Sequence, residues 1–161
     1  MGDRELMDDA IESTLALATA LDFIPRVRVA CAAFPGPQND QVVPLTRFGE
    51  SVRETAKYYP PLTGHGSTPL AEALWWVAAQ ILMRTEERKL IVVITDGEPN
   101  SPEAARDILN RCRCSGIECV GVGIQDMYVT DLFQDYCIVN QIEDLAPSLF
   151  GILRKTLTKD S

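Results

Sequence analysis

The chain has 161 residues, is 46% hydrophobic and 24% charged, and carries a formal net charge of −8. That length suits one domain, and the apolar share suits a full core. The acidic balance argues against nucleic acid or an anionic membrane as the main partner, because both require clustered Lys and Arg.

Residues 4–23 are expected to be a helix. Leu6, Ala10, Leu17 and Leu21 fall near one face, Met7, Ile11 and Leu15 widen it, and Asp8, Asp9 and Glu12 face water. Pro25 ends it. Residues 26–34 alternate Val27, Val29, Cys31 and Ala33 with polar or small residues and read as a strand. The loop 35–40 follows, and then a weaker strand over 41–47, where Pro44 demands a sheet edge. A short helix over 49–57 leads into a loop rich in Pro and Gly. Residues 69–83 form a helix with Pro69 in its first position and apolar residues nearly all round, which predicts deep burial.

Residues 89–95, KLIVVIT, are a continuous apolar run of the kind found in parallel sheets. Ser101 and Pro102 open a helix that stops at Gly116. A strand over 117–124, a helical turn over 128–134, a strand over 136–140 and a helix over 142–158 complete the chain. Strand and helix alternate from residue 88 onward, which predicts a doubly wound, mostly parallel α/β sheet flanked by helices, in a single domain over 1–161. Residues 41–47 are its antiparallel edge, and 26–34 is expected in the same sheet as 89–95.

No run of about 20 apolar residues is present, so no membrane span is expected. The start Met1-Gly2-Asp3-Arg4-Glu5 lacks the basic and apolar regions of a signal peptide. The five cysteines, Cys31, Cys112, Cys114, Cys119 and Cys137, lie mostly among apolar residues and read as reduced thiols of a cytoplasmic protein. Cys112-x-Cys114 with Cys119 is a thiolate set on paper, but its members fall on a helix end and a strand. His65 is the only histidine, so one chain can build neither a histidine cluster nor a Ser-His-Asp triad. Trp75 and Trp76 read as core and helix-packing residues.

Ligands of open α/β sheets bind beyond the carboxyl ends of the strands. Asp96 stands there, at the end of the most apolar strand, as a cation ligand, a phosphoryl acceptor or a plain Asp-Gly turn. Thr68, in Gly64-His65-Gly66-Ser67-Thr68-Pro69, precedes a buried helix. It is a second oxygen for a metal, or simply that helix's N-cap. Glu98 is either a supporting carboxylate or a solvated turn residue.

Two tracts carry a family resemblance. G-x-T-P-L-x-E-A-L at 66–74, followed by an apolar strand ending T-D-G-E-P at 95–99, resembles a von Willebrand factor type A domain. The resemblance implies a metal site (MIDAS) for Mg²⁺ or Mn²⁺ at the top of the sheet, with Thr68 and Asp96 in the two later ligand positions. It implies a non-catalytic binding module whose cation takes a carboxylate from a protein partner. Three further ligands would come from an Asp-x-Ser-x-Ser motif on a central first strand. No such motif precedes the first helix, so the sequence reads as starting just after it. With one carboxylate and one hydroxyl left, metal binding by this chain is expected to be weak or absent. T-D-G-E-P, I-E-C-V-G-V-G-I at 117–124 and D-L-A-P-S-L-F at 144–150 are similar to the C-terminal domains of cobaltochelatase-like subunits, which implies an AAA+ ATPase partner and a link to cobalamin biosynthesis.

Two other functions compete. One is Mg²⁺-dependent phosphotransfer or hydrolysis through Asp96, which wants a nearby lysine, whereas Lys89 falls at the far end of the strand. The other is a structural remnant that binds nothing. A central strand taken out of a sheet leaves orphan N–H and C=O groups at about 1–3 kcal/mol each, against a total stability of roughly 5–15 kcal/mol. The vacant place is therefore expected to close by direct pairing of 26–34 with 89–95, to fill with another segment, to persist as a groove, or to leave the chain poorly folded. Extending the chain upstream by the motif strand should raise its melting temperature by many degrees and reduce aggregation. Equal melting of short and extended chains, both monomeric, would refute the missing-strand reading.

Overall fold

The computed structural model describes residues 2–36, 41–60, 62 and 67–159, with side chains from residue 8 onward. In chain order the elements are α1 (Gly2–Asp22), β1 (Cys31–Ala33), β2 (Val43–Thr46), α2 (Val52–Thr55), α3 (Leu70–Leu82), β3 (Lys89–Thr95), α4 (Pro102–Cys114), β4 (Ile117–Ile124), α5 (Val129–Leu132), β5 (Asp135–Val139) and α6 (Leu145–Leu157). Single 3-10 turns follow α2 at Ala56–Tyr58 and precede α6 at Ile142–Asp144. The chain forms two compact units, one from residues 1–66 with 142–161 and one from residues 67–141.

In the first unit, α1 packs on α6 and α2. Ala10, Leu17 and Ala18 of α1 are buried, as are Leu145, Leu149 and Leu153 of α6, whose four-residue spacing makes one helical stripe. Val52 is fully buried, and its N–H donates to Asp22 Oδ2 at 3.3 Å, so the end of α1 caps the start of α2. β1 and β2 pair antiparallel with an irregularity between Cys31 and Ala32, and Pro44 lies opposite Ala32. The buried hydroxyl of Thr46 meets those of Thr55 (2.6 Å) and Tyr59 (2.5 Å).

Only three residues of the strand expected over 26–34 join a ladder. Arg26 has φ 70°, a left-handed turn out of the helix, and residues 27–30 keep their in-and-out alternation without a ladder partner among the described residues. The expectation that 26–34 shares a sheet with 89–95 is not met. β1 pairs with β2, while β3 belongs to a separate three-stranded sheet of order β3-β4-β5.

That second sheet is wholly parallel and flanked by helices, the α/β class that the alternation predicted. β3 is Val- and Ile-rich, and Ile91, Val93 and Thr95 are buried. β4 is the most enclosed strand, with Val120 and Val122 at 1% and 0% exposure, and burying each such side chain contributes about 1.5–3 kcal/mol. α4 packs on β4, with Ala105, Leu109 and Cys112 inward. Its start is the Ser101 cap, whose side chain accepts from Ala104 N at 3.3 Å, and its end is Gly116 at φ 79°. At the far end of the strands, Arg88 joins Glu118 at 2.7 Å.

α3 corrects another expectation. It buries Leu70, Ala71, Ala73, Leu74, Ala78 and Ile81, but Trp75 is 59% exposed, Leu82 50% and Met83 72%. Trp75 is therefore not a core residue. The helix packs mainly along one flank, against α4 and β3, so its all-round apolar composition leaves the other flank bare.

Two glycines of β4 admit no side chain. A Cβ on Gly121 would lie 2.4 Å from the Phe133 ring, and one on Gly123 would lie 2.3 Å from the backbone carbonyl oxygen of Asp126. Gly123→Ala should lower the unfolding free energy by about 1–3 kcal/mol in urea titration, because backbone cannot move aside as a ring can. Gly151→Ala, on an open face of α6, should instead stabilise by about 0.5–1 kcal/mol.

Candidate metal centre

β3 ends at Thr95, and the next residues turn back on its hydroxyl. Thr95 Oγ1 accepts from Gly97 N at 3.4 Å and donates to Gly97 O at 3.3 Å. That turn carries Asp96, exposed at the carboxyl edge of the parallel sheet. The segment before α3 is tied to the same place. Thr68 N donates to Asn100 Oδ1 at 2.8 Å, and Asn100 N donates to Thr68 O at 3.0 Å. A Cβ on Gly97 would stand 3.4 Å from Thr68 Oγ1, so the threonine hydroxyl lies against the Asp96 turn.

Thr68 does not cap α3. The cap position falls on Pro69, with no side-chain cap bond, and Leu70 N reaches back to the Thr68 carbonyl at 2.8 Å. The hydroxyl is thereby left for other work. His65 lies outside the described residues.

Glu98, already a candidate, and two residues not singled out from the sequence, Asn100 and Asp126, complete the edge. Asn100 joins the two loops. Glu98 is exposed and accepts from Tyr128 Oη at 2.9 Å, which raises the tyrosine's pKa through that bond and the neighbouring charge. Asp126 follows β4 and is 4% exposed. Its Oδ1 accepts from Tyr128 N at 2.9 Å, and its Oδ2 is buried with no partner. Burial raises the carboxyl's pKa, the Tyr128 N–H works against that, and the charges of Asp96 and Glu98 add to the rise. The rule that found Asp96, a carboxylate just past the carboxyl end of a parallel strand, also points to Asp126 once applied to β4.

The donor set is a hydroxyl and carboxylates, the hard oxygens that Mg²⁺ and Mn²⁺ take. Among the described residues, no three His, Cys, Asp or Glu side chains converge closely enough to hold a metal by themselves. The set suits a cation that keeps much of its water. The cysteines offer no rival site. All five are free thiols, Cys112 is buried, Cys114 is exposed, and the Cys119 thiol is pushed up to about 12 by burial and its neighbour Cys112. Lys89 begins β3 and donates to Glu86 O at 2.6 Å, at the opposite end of the strand from Asp96. No helix of the described chain is long and apolar enough to cross a membrane.

Known structures resemble this fold. Proximal thread matrix protein 1 (PTMP1) from the mussel byssus matches with a TM-score of 0.70 at 14% identity, over 93% of this chain and 42% of its own. Another structure of that mussel protein has a zinc-occupied MIDAS motif. The manganese-loaded TRAP protein of Plasmodium vivax matches with a TM-score of 0.62 at 20% identity, over 84% of this chain and 62% of its own. The SpRpn10 VWA domain matches with a TM-score of 0.64 at 10% identity, over 90% of this chain and 81% of its own. At these identities the likeness is one of fold, and the chain spans about two fifths of the mussel protein's length. No curated protein matches the chain. The model of the von Willebrand factor type A domain matches residues 3–137, most of the sequence, and the chain belongs to that family.

Proposed function

We propose that this chain is a metal-dependent protein-binding module of the von Willebrand factor type A family, with Thr68 and Asp96 as cation ligands. The observation that carries the reading is the pair of hydrogen bonds between Thr68 and Asn100, which joins the Thr68 segment to the loop of Asp96. A hydroxyl and a carboxylate held together at the carboxyl edge of a parallel sheet can share one hard cation. Manganese in the Plasmodium protein and zinc in the mussel protein support a divalent ion in that place.

The chain's own residues have three tasks in this reading. Asp96 supplies negative charge at the tip of a turn fixed by Thr95. Thr68 supplies a neutral oxygen. Asn100 holds their loops in register. The cation, when bound, supplies a Lewis-acidic position that takes a carboxylate oxygen from a partner protein. Family membership favours an interaction module over a catalyst, and Lys89, the lysine nearest Asp96 in sequence, lies at the opposite end of the strand from where phosphotransfer would use it. The family match runs through both compact units, which favours one domain. We assign the partner as an AAA+ ATPase subunit of a cobaltochelatase-like complex. That assignment rests on the tracts T-D-G-E-P, I-E-C-V-G-V-G-I and D-L-A-P-S-L-F.

Mn²⁺ titration followed by electron paramagnetic resonance tests the site. Weak, millimolar binding is expected, because so few protein ligands offset dehydration of the ion. Asp96→Ala should abolish it and Thr68→Ala should weaken it, with the circular dichroism spectrum unchanged. Binding that survives Asp96→Ala sinks the assignment. Co-purification of an AAA+ ATPase that is lost with EDTA and with Asp96→Ala is the expected partner result, and metal-independent capture is the contrary one.

A further inference from the structure

β4 runs parallel to β3 with Thr95 beside Gly123, so the chain leaves both strands at one edge. Asp96 follows Thr95 directly. Asp126 follows Gly123 after Gln125, which turns the chain with φ 52°. The loop is firmly made. Gln125 N donates to Val139 O at 2.8 Å, and Gln125 Nε2 donates to Asn140 O at 3.1 Å. The bare Cα of Gly123 lets the Asp126 carbonyl come close.

This loop holds a carboxylate in an expensive position. Asp126 is 4% exposed, one oxygen caps the following turn through Tyr128 N, and the other is buried without a partner. A buried oxygen left without a donor destabilises the fold. Its charged neighbours, Asp96 and Glu98, are both negative and repel it. Among the described residues none of the three makes an ion pair. A cap alone does not require this, since Asn or Ser would cap as well without bringing a charge.

We propose that Asp126 is a further residue of the cation centre, whose free oxygen accepts a hydrogen bond from a water on the ion held by Thr68 and Asp96. This rests on the cation reading given above. The contact is routed through water because Asp96, Glu98 and Asp126 do not gather into a group of three that could hold a metal. Hard divalent ions of this kind keep several waters, and carboxylates beyond the direct ligands orient them. Asp126 is then a positioning residue. It adds negative charge next to the ion, and the ion removes the repulsion among Asp96, Glu98 and Asp126.

Asp126→Asn is the decisive variant, because the amide keeps the shape and the cap while losing the charge. Without metal it should melt at a higher temperature than the parent chain. With Mn²⁺ its affinity should fall by about tenfold or more. A purely structural role would not move these two readouts in opposite directions. Asp126→Ser, which also caps, is the second variant if the amide is not tolerated. Asp131→Asn, an exposed acid in α5, controls for net charge and should change neither readout. Unchanged Mn²⁺ affinity in both Asp126 variants, with Asp96→Ala abolishing binding, overturns this inference and leaves the Thr68 and Asp96 site standing. No Mn²⁺ binding by the parent chain at millimolar metal, or binding indifferent to Asp96→Ala, overturns both.

Discussion

Seven successive residue pairs hold β3 beside β4, from Lys89 with Ile117 to Thr95 with Gly123. The positions of the candidate groups at the sheet edge follow from that register. Both strands run the same way, so Asp96 and Asp126 emerge at one edge of the sheet. A slip by one residue would turn Val120 and Val122 away from the positions where they are now buried, and it would offset one carboxylate loop from the other. The burial of β4 therefore sets the geometry of the polar edge, although none of its apolar side chains belongs to it. Gly123 serves both ends, since it pairs in the ladder and makes room for the Asp126 carbonyl.

A second constraint acts on that frame. Thr68 is distant in sequence from Asp96, and nothing in the β3 ladder holds it. The two bonds between Thr68 and Asn100 do so, using one backbone N–H from each residue. Asn100 sits just before the Ser101 cap of α4, so the helix start, the turn after β3 and the segment before α3 are fixed together. The edge they form is electrostatically unbalanced. Asp96, Glu98 and Asp126 are neighbours without a compensating cation from the described protein, and the desolvated one has an oxygen with no donor. Among the described residues no other buried side-chain oxygen or nitrogen lacks a partner, and the buried Thr46 hydroxyl, for one, meets those of Thr55 and Tyr59. Folds that place polar groups consistently and break the rule at one edge tend to do so where a ligand or partner is to be met.

The sulfur chemistry points the other way. Cys31, Cys112, Cys119 and Cys137 have thiols made less acidic, chiefly by burial. A thiol that resists ionisation is a poor nucleophile and a poor metal ligand. These four cysteines act as small apolar residues.

Much of this was legible in the sequence for local reasons. The apolar run 89–95 between polar flanks, the Ser101-Pro102 start and Gly116 stop of α4, and the alternation of strands with helices each depend on a few neighbouring residues. So does the position of Asp96 at a strand end. What depended on partners distant in the chain was not legible. Residues 26–30 have a strand's alternation but no ladder partner among the described residues, because a strand exists only where another chain segment takes its N–H and C=O groups. Trp75 has the composition of a core residue, yet it is exposed, because burial is decided by what packs against a helix face. Thr68 had the place of a cap, but the turn at Pro69 left its hydroxyl free. Asp126 has only its place just after β4 to mark it in the sequence. Its burial, its unpartnered oxygen and its proximity to Asp96 and Glu98 arise only when β4 lies against β3 and the two loops meet at one edge.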